Sequence, residues 1–185
     1  MAIHSKVEEM LKDSIQEMLD ASVLCIDFKK ENGGCLGYPA TVLLMSIIDT
    51  IGSYYEGNKN YKINIDGKEK IINSGSFQHF YILNSEYYNL GLSEDFIKRI
   101  YDNFRSLLTH NAVIAKNHLI VIDDPLERPF CDNDGFKDEK TGEAYPSIAL
   151  IPLLLYTKFA VKLFVDRIDS VFPESKQANL INKKK

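Results

Sequence analysis

Apolar residues recur at helical spacing from the start of the chain. Steps of three, four and seven residues place such positions on one face of a helix. Residues 5–30 carry one such stripe, made up of Val7, Leu11, Met18, Ala21, Cys25 and Phe28. Ser5 and Glu8 have the spacing of a capping box at the helix start. The pattern therefore predicts a long amphipathic helix that ends before Gly33-Gly34.

The next segment is apolar on most sides. Residues 39–55 open with Pro39 and contain Ala40 to Ile51, where eight of twelve residues are apolar. This composition predicts a central, buried helix. The period then changes to two in residues 61–72, where Asp66-Gly67 is a turn signal. This alternation predicts a short β-hairpin.

A third amphipathic helix is predicted near the middle of the chain. Residues 76–89 are aromatic and ambiguous, with a short helix as one interpretation, and most of these rings are expected in the core. Ser93 then caps a helix that runs to about His110. Its apolar stripe consists of Phe96, Ile97, Ile100, Tyr101, Phe104, Leu107 and Leu108.

The last third combines short β segments with a final helix. Three short strands are predicted, at Leu119–Ile122, Pro129–Asp132 and Ser147–Leu150, with polar loop across the rest of 123–145. Pro152 starts a helix to about Val171. The pattern predicts an all-α fold, an up-and-down bundle of four to five helices with small β excursions, as one domain over 1–172 and a flexible tail over 173–185.

Composition narrows the function classes. The 22 basic and 26 acidic residues give a net charge of -4, which excludes a protein that coats nucleic acid by bulk charge. Three cysteines without a CxxC pair fit reduced thiols and a cytoplasmic protein. The first residues do not read as a signal peptide, and no apolar run reaches the ~20 residues that span a bilayer, so no membrane partner is expected.

Several segments resemble known site motifs but lack residues that those motifs require. Asp132-Asn133-Asp134-Gly135 suggests a calcium loop, but Phe130 stands where an oxygen ligand is needed, and Thr141 replaces the closing glutamate. Gly33-Gly34-Cys35-Leu36-Gly37 lacks the Gly-Lys-Ser/Thr of a phosphate loop. The four histidines are far apart in the sequence. We therefore expect no metal site and no cofactor.

Arg105 and His110 form the most informative pair. On an α-helix five steps separate them by about 140°, so they flank the apolar stripe and could face a groove or a partner subunit. An imidazole moves protons near neutral pH, and a guanidinium binds phosphate oxygens. Together they suit phosphodiester cleavage without metal. The alternative is a histidine favoured by the helix dipole beside an unrelated surface arginine.

Asp49 lies within the most apolar helix. A carboxylate there is costly unless it is paired. We hypothesise that it orients Arg105 or His110, or caps a neighbouring helix. Pairing with backbone donors, without a role in chemistry, is the alternative.

The segment Phe104-Arg105-Ser106-Leu107-Leu108-Thr109-His110-Asn111 resembles the HEPN family, small helical bundles often marked by Arg, four to six residues, then His. Residues 40–49 resemble the preceding apolar helix of that family, and residues 146–171 its closing strand and helix. The resemblance covers about 38–171. Ser106 stands where active members often have Asn, Asp or His, and the hairpin over 61–72 looks like an insertion.

This resemblance implies a metal-independent endoribonuclease. Two protomers would meet in a homodimer and form a composite site, with His110 as general acid or base and Arg105 on the scissile phosphate of RNA. Ser106, Asp49 and Asn111 would have supporting roles. Such a protein could be a toxin or defence component held in check by an inhibitory partner protein. The competing interpretations are a non-catalytic HEPN-like dimer that binds a partner or ligand, and an unrelated helical protein.

Overall fold

A computed structural model describes residues 6–31, 33–73, 76–122, 131–137 and 142–182. Within these residues the fold is mostly helical, which confirms the predicted class in its coarse form. The α-helices are α1 (Val7–Asp27), α2 (Gly37–Ser53), α3 (Glu94–Ile100), α4 (Leu107–Asn111), α5 (Leu150–Val171) and α6 (Lys176–Asn182). No helix among them is long and apolar enough to cross a bilayer.

Helix α2 lies at the centre of the core, as its apolar sequence predicts. Its fully buried residues include Leu44, Met45, Ile47, Ile48 and Ile51. Helices α1 and α5 pack against it and against each other. Burial of this apolar surface is the main source of stability.

The buried stripe of α1 differs from the predicted one. Val7 and Leu11 are buried as expected, but the stripe continues through Ile15, Leu19 and Ile26. Phe28, predicted in the stripe, is exposed after the helix end. Ser5 of the predicted capping box lies outside the described residues, and the N-cap position falls on Lys6.

The hairpin and the aromatic stretch that follows pack beside α2. Strands β1 (Ile63–Ile65) and β2 (Lys68–Lys70) pair in antiparallel register, and Asp66 and Gly67 both have positive φ, as the predicted two-residue turn requires. Residues Ser76–Asn84 form a 3₁₀ helix, called here the 3₁₀ segment. Four of the aromatic side chains predicted for the core are buried, namely Phe80, Tyr81, Tyr87 and Tyr88.

The C-terminal half holds a three-stranded sheet. Strands β3 (Leu119–Val121), β4 (Cys131–Lys137) and β5 (Ala144–Ala149) are arranged in the order β3-β5-β4. Strand β5 is parallel to β3 and antiparallel to β4. The prediction of loop over 133–137 is therefore wrong: these residues continue β4 through a register shift between Asp132 and Phe136, because pairing with β5 satisfies their backbone groups.

The helix predicted from Ser93 to His110 is interrupted. Ser93 caps α3 as expected, since its side chain accepts a hydrogen bond from the Phe96 amide. Residues Tyr101–Ser106 then form a π-helical turn, called here the π turn, before α4 begins. A π turn adds a residue to the helical repeat and rotates the side chains that follow it, and Leu107 of the predicted stripe is only half buried.

A flexible tail was predicted for residues 173–185, but residues 173–182 of it belong to the folded structure. Phe172–Glu174 forms a 3₁₀ turn and α6 follows it. Ser175 and Ala178 are each 1% exposed, because α6 packs against α1. Residues 183–185 lie outside the described residues.

Ala112 has the left-handed backbone conformation that usually belongs to glycine. It ends α4 with φ 55° and ψ 27°, and its amide donates to the Leu108 carbonyl. An alanine in this conformation is strained by about 1 kcal/mol relative to glycine. We expect Ala112→Gly to raise the free energy of unfolding by about 0.5 kcal/mol after the entropy of glycine is subtracted.

Urea denaturation of wild type and variant measures this difference. Asn117→Gly is the matched control, because Asn117 has a similar φ of 61° but asparagine tolerates this region better. Its gain should be smaller. A loss of stability in Ala112→Gly, with Asn117→Gly unchanged, would contradict the assigned strain.

Candidate functional site

The site is built around one carboxylate on the central helix. Asp49 lies on the last third of α2, and its side chain is 19% exposed. Its two oxygens bind different partners: Oδ2 accepts from Arg105 Nη2 at 2.5 Å, and Oδ1 accepts from His79 Nδ1 at 2.7 Å. The carboxylate thus joins an arginine and a histidine from two other segments of the chain.

Arg105 reaches Asp49 from the π turn. Its side chain is 20% exposed, and its guanidinium carbon lies 5.3 Å from the centroid of the Tyr101 ring. The ring face attracts the cation. Arg105 Nε is buried and has no hydrogen-bond partner. The ion pair and the ring together hold the guanidinium in one place.

His79 comes from the 3₁₀ segment, which approaches α2 very closely at Gly52. A Cβ atom on Gly52 would lie 2.1 Å from the His79 carbonyl oxygen, so only glycine permits this backbone contact. The imidazole is 14% exposed, and its Nε2 lies 3.6 Å from Glu56 Oε2. Lys176 of α6 lies 3.4 Å from the other Glu56 oxygen. Basic and acidic side chains therefore alternate along the sequence of contacts Arg105, Asp49, His79, Glu56 and Lys176.

Opposing effects set the pKa of Asp49. Burial raises it, while the His79 hydrogen bond and the charge and hydrogen bond of Arg105 lower it. The lowering by His79 and Arg105 together exceeds the raising by burial, so the pKa of Asp49 lies below its ordinary value. The carboxylate is therefore ionised at neutral pH.

These groups line an open pocket of about 300 Å³. Its walls are Asp49, Thr50, Ser53, His79, Tyr101 and Arg105. Hydroxyl, imidazole and guanidinium groups make it a polar pocket that suits an anionic or hydroxylated ligand more than an apolar one. In the described part of the chain, no group of three or more His, Cys, Asp or Glu side chains could hold a metal ion.

The structure brings together only two of the residues singled out from the sequence. The hypothesised contact between Asp49 and Arg105 is present. His110 is exposed at the end of α4 and does not line the pocket, and its side chain has no hydrogen bond or ion pair within the described residues. Ser106 is half buried and Asn111 is exposed, and neither lines this pocket.

His79 was missed by sequence reasoning. It stands 30 residues from Asp49 and 26 from Arg105, in an aromatic stretch without a motif. The one local signal was Gly52 inside an apolar helix, since a glycine there suggests a close approach of another backbone. That signal does not say which segment approaches.

A second histidine stabilises the segment that carries Arg105. His118 Nδ1 donates to the Lys116 carbonyl, and its Nε2 accepts from the Asn103 side-chain amide at 3.0 Å. The Asn103 carbonyl in turn accepts from the Ala115 amide. These hydrogen bonds connect the loop after α4 to the π turn. His118 therefore has a structural role and does not line the pocket.

Comparison of this chain with family models, with curated proteins and with solved structures found no match.

Proposed function

We propose that this chain is a metal-independent endoribonuclease that works as a homodimer. The observation that carries the proposal is Arg105, a cation held by Asp49 and Tyr101 at the wall of an open polar pocket. A guanidinium has five N–H donors, and Asp49 accepts from one of its nitrogens. Arg105 Nε is buried, so in this proposal the donors on the two Nη nitrogens that Asp49 does not use bind the oxygens of a scissile phosphate.

His110 supplies the proton transfer in this mechanism. It is exposed five residues after Arg105, where a second copy of the chain can approach. It takes the proton of the ribose 2′-hydroxyl while the 2′-oxygen attacks the phosphorus and the bond to the 5′-oxygen breaks. The leaving 5′-oxygen takes up a proton, which the second copy of His110 donates. The products are a 2′,3′-cyclic phosphate and a 5′-hydroxyl.

Arg105 stabilises the charge that develops on the phosphate oxygens during this step. Asp49 orients Arg105, and Ser106 and Asn111 support the segment beside the composite cleft. The fold in this proposal is a HEPN-like up-and-down bundle, and the protein acts in the cytoplasm. It works as a toxin or defence component that an inhibitory partner protein restrains.

A non-catalytic dimer is the second candidate, and one observation favours it. Arg105 is already paired with Asp49, and Glu56 lies on the far side of His79. The carboxylates of Asp49 and Glu56 reduce the attraction of this region for a polyanion. Under this proposal the pocket binds a ligand or partner without cleaving it.

RNA cleavage in the presence of a chelator separates the two candidates. We expect wild type to cleave single-stranded RNA, and Arg105→Ala and His110→Ala to lose at least about 100-fold in rate. Arg99→Ala is the matched control, because Arg99 is an exposed cation on α3. Among the residues that the structure describes, its side chain pairs only with Asp95 and the Phe96 ring. This variant should retain nearly full activity.

Three outcomes oppose the ribonuclease proposal. Equal cleavage by all variants indicates a contaminating nuclease, and activity lost only with the chelator indicates a metal-dependent reaction. RNA binding that depends on Arg105 without any cleavage supports the non-catalytic dimer. Light scattering on the same samples tests the homodimer.

A further inference from the structure

The two oxygens of Asp49 divide their partners between Arg105 and His79. A carboxylate held on one oxygen only can rotate about its Cβ–Cγ bond, and such rotation would move Oδ2 away from Arg105. Among the described side chains, His79 is the one that holds Oδ1. The orientation of the Asp49 carboxylate toward Arg105 therefore depends on His79.

The imidazole of His79 is itself fixed on both sides. An ionised carboxylate can only accept hydrogen bonds, so Nδ1 carries the proton donated to Asp49. Nε2 is buried, has no hydrogen-bond partner, and lies 3.6 Å from Glu56 Oε2. Since Nε2 is buried against Glu56, His79 is poorly placed to exchange a proton with a substrate in the pocket.

The backbone of His79 is fixed as well. Its carbonyl lies against Gly52, and the neighbouring Phe80 and Tyr81 are fully or almost fully buried. A side chain on so well packed a segment has little freedom to drift. A fixed backbone and a fixed imidazole are what a side chain needs to orient the Asp49 carboxylate.

We propose that His79 is a positioning residue of the Arg105 pocket, acting through Asp49 to hold the guanidinium where it meets a phosphate. This inference rests on the proposed function, in which Arg105 binds the scissile phosphate. It adds a residue outside the Arg105–His110 motif. It also makes Glu56 and Lys176 part of the same row of acidic and basic side chains. Lys176, at 64% exposure, is the most exposed member of this row.

Two polar variants test the inference. In His79→Asn the amide nitrogen takes the place of Nδ1 and can still donate to Asp49, whereas in His79→Gln it takes the place of Nε2 and faces Glu56. We expect His79→Asn to keep kcat for RNA within about threefold and His79→Gln to lower kcat by at least about tenfold, with KM less affected. In the Arg105→Ala background, His79→Gln should add no more than about twofold.

A readout independent of activity accompanies the kinetics. The chain has four arginines, so the Arg105 Nε–H resonance can be assigned in an NMR spectrum by its loss in Arg105→Lys. We expect this resonance to be preserved in His79→Asn and to shift or broaden in His79→Gln. Thermal melts of both variants show that they are folded.

The two proposals fail in different ways. If wild type does not cleave RNA, the proposed function fails, and the Arg105 resonance alone still decides the positioning. An unchanged resonance in folded His79→Gln overturns the role of His79, even if RNA is cleaved. Equal loss of kcat in His79→Asn and His79→Gln also overturns it, because the Nδ1 contact is then unimportant.

Discussion

Gly52→Ala is expected to lower the free energy of unfolding by about 3 kcal/mol. The added Cβ atom would lie 2.1 Å from the His79 carbonyl oxygen and 2.7 Å from its carbonyl carbon. Such a clash with backbone can be relieved only by moving the 3₁₀ segment. That movement would displace Phe80 and Ile82, both 0% exposed, from the core.

The predicted loss of stability is opposite in sign to the usual effect of a glycine-to-alanine substitution in a helix. In an open helix interior the same substitution stabilises by up to about 1 kcal/mol. Gly37→Ala is the matched control, because its Cβ would meet the Ile120 side chain at 3.4 Å, and we expect a change of less than about 1 kcal/mol. Urea denaturation measures both variants. A Gly52→Ala protein as stable as wild type would show that the segment does not lie against α2.

Asp49→Ala is expected to destabilise by about 2 kcal/mol. It leaves the Arg105 guanidinium and the His79 imidazole without their shared acceptor, in a site where each side chain is at most 20% exposed. Removal of one partner from a fully buried pair costs about 3–5 kcal/mol. The partial exposure reduces that cost through solvent screening.

The same contacts predict a pH dependence. The folded-state pKa of Asp49 lies below its ordinary value, which is about 3.9 in the unfolded chain. Its contribution to stability is therefore fully present above about pH 4 and is lost as the pH falls through the lower folded-state pKa. We expect the stability difference between wild type and Asp49→Asn to shrink when urea denaturation is repeated from pH 5 to pH 2.5.

Asp102→Asn is the control for this series. Asp102 is exposed on the π turn, and its side chain has no ion pair or hydrogen bond within the described residues. Its replacement should change the free energy of unfolding by less than about 0.5 kcal/mol. A difference for Asp49→Asn that stays constant down to pH 2.5 would contradict the lowered pKa.

The parts of the fold that were predictable are those set by local patterns. The central place of α2 follows from its apolar run, and the turn at Asp66-Gly67 follows from the backbone freedom of its residues. The continuation of β4 over 133–137 and helix α6 were not predicted, since polar residues in 133–137 and the C-terminal segment carry no strong period. Their formation depends on β5 and on α1, which lie elsewhere in the sequence.

The residues of the candidate site were likewise predictable only where a local pattern marked them. Arg105 and Asp49 could be selected because each is chemically conspicuous in its own helix, a guanidinium beside an apolar stripe and a carboxylate among apolar residues. Their contact across 56 residues was one of several alternatives left open by the sequence, and it is present in the structure. Within one chain, Arg105 lines the pocket and His110 does not. Their predicted composite site at a homodimer cleft stays a prediction.

By itself, the sequence determined that the chain folds around α2, that β1 and β2 form a hairpin, and that Arg105 and Asp49 need partners. Helical period, turn residues and the cost of an isolated charge are local properties, and each is readable from neighbours in the chain. Only the tertiary structure decided that His79 is one of those partners. The close approach of two backbones at Gly52 brings His79 to Asp49, and such an approach depends on how distant segments pack.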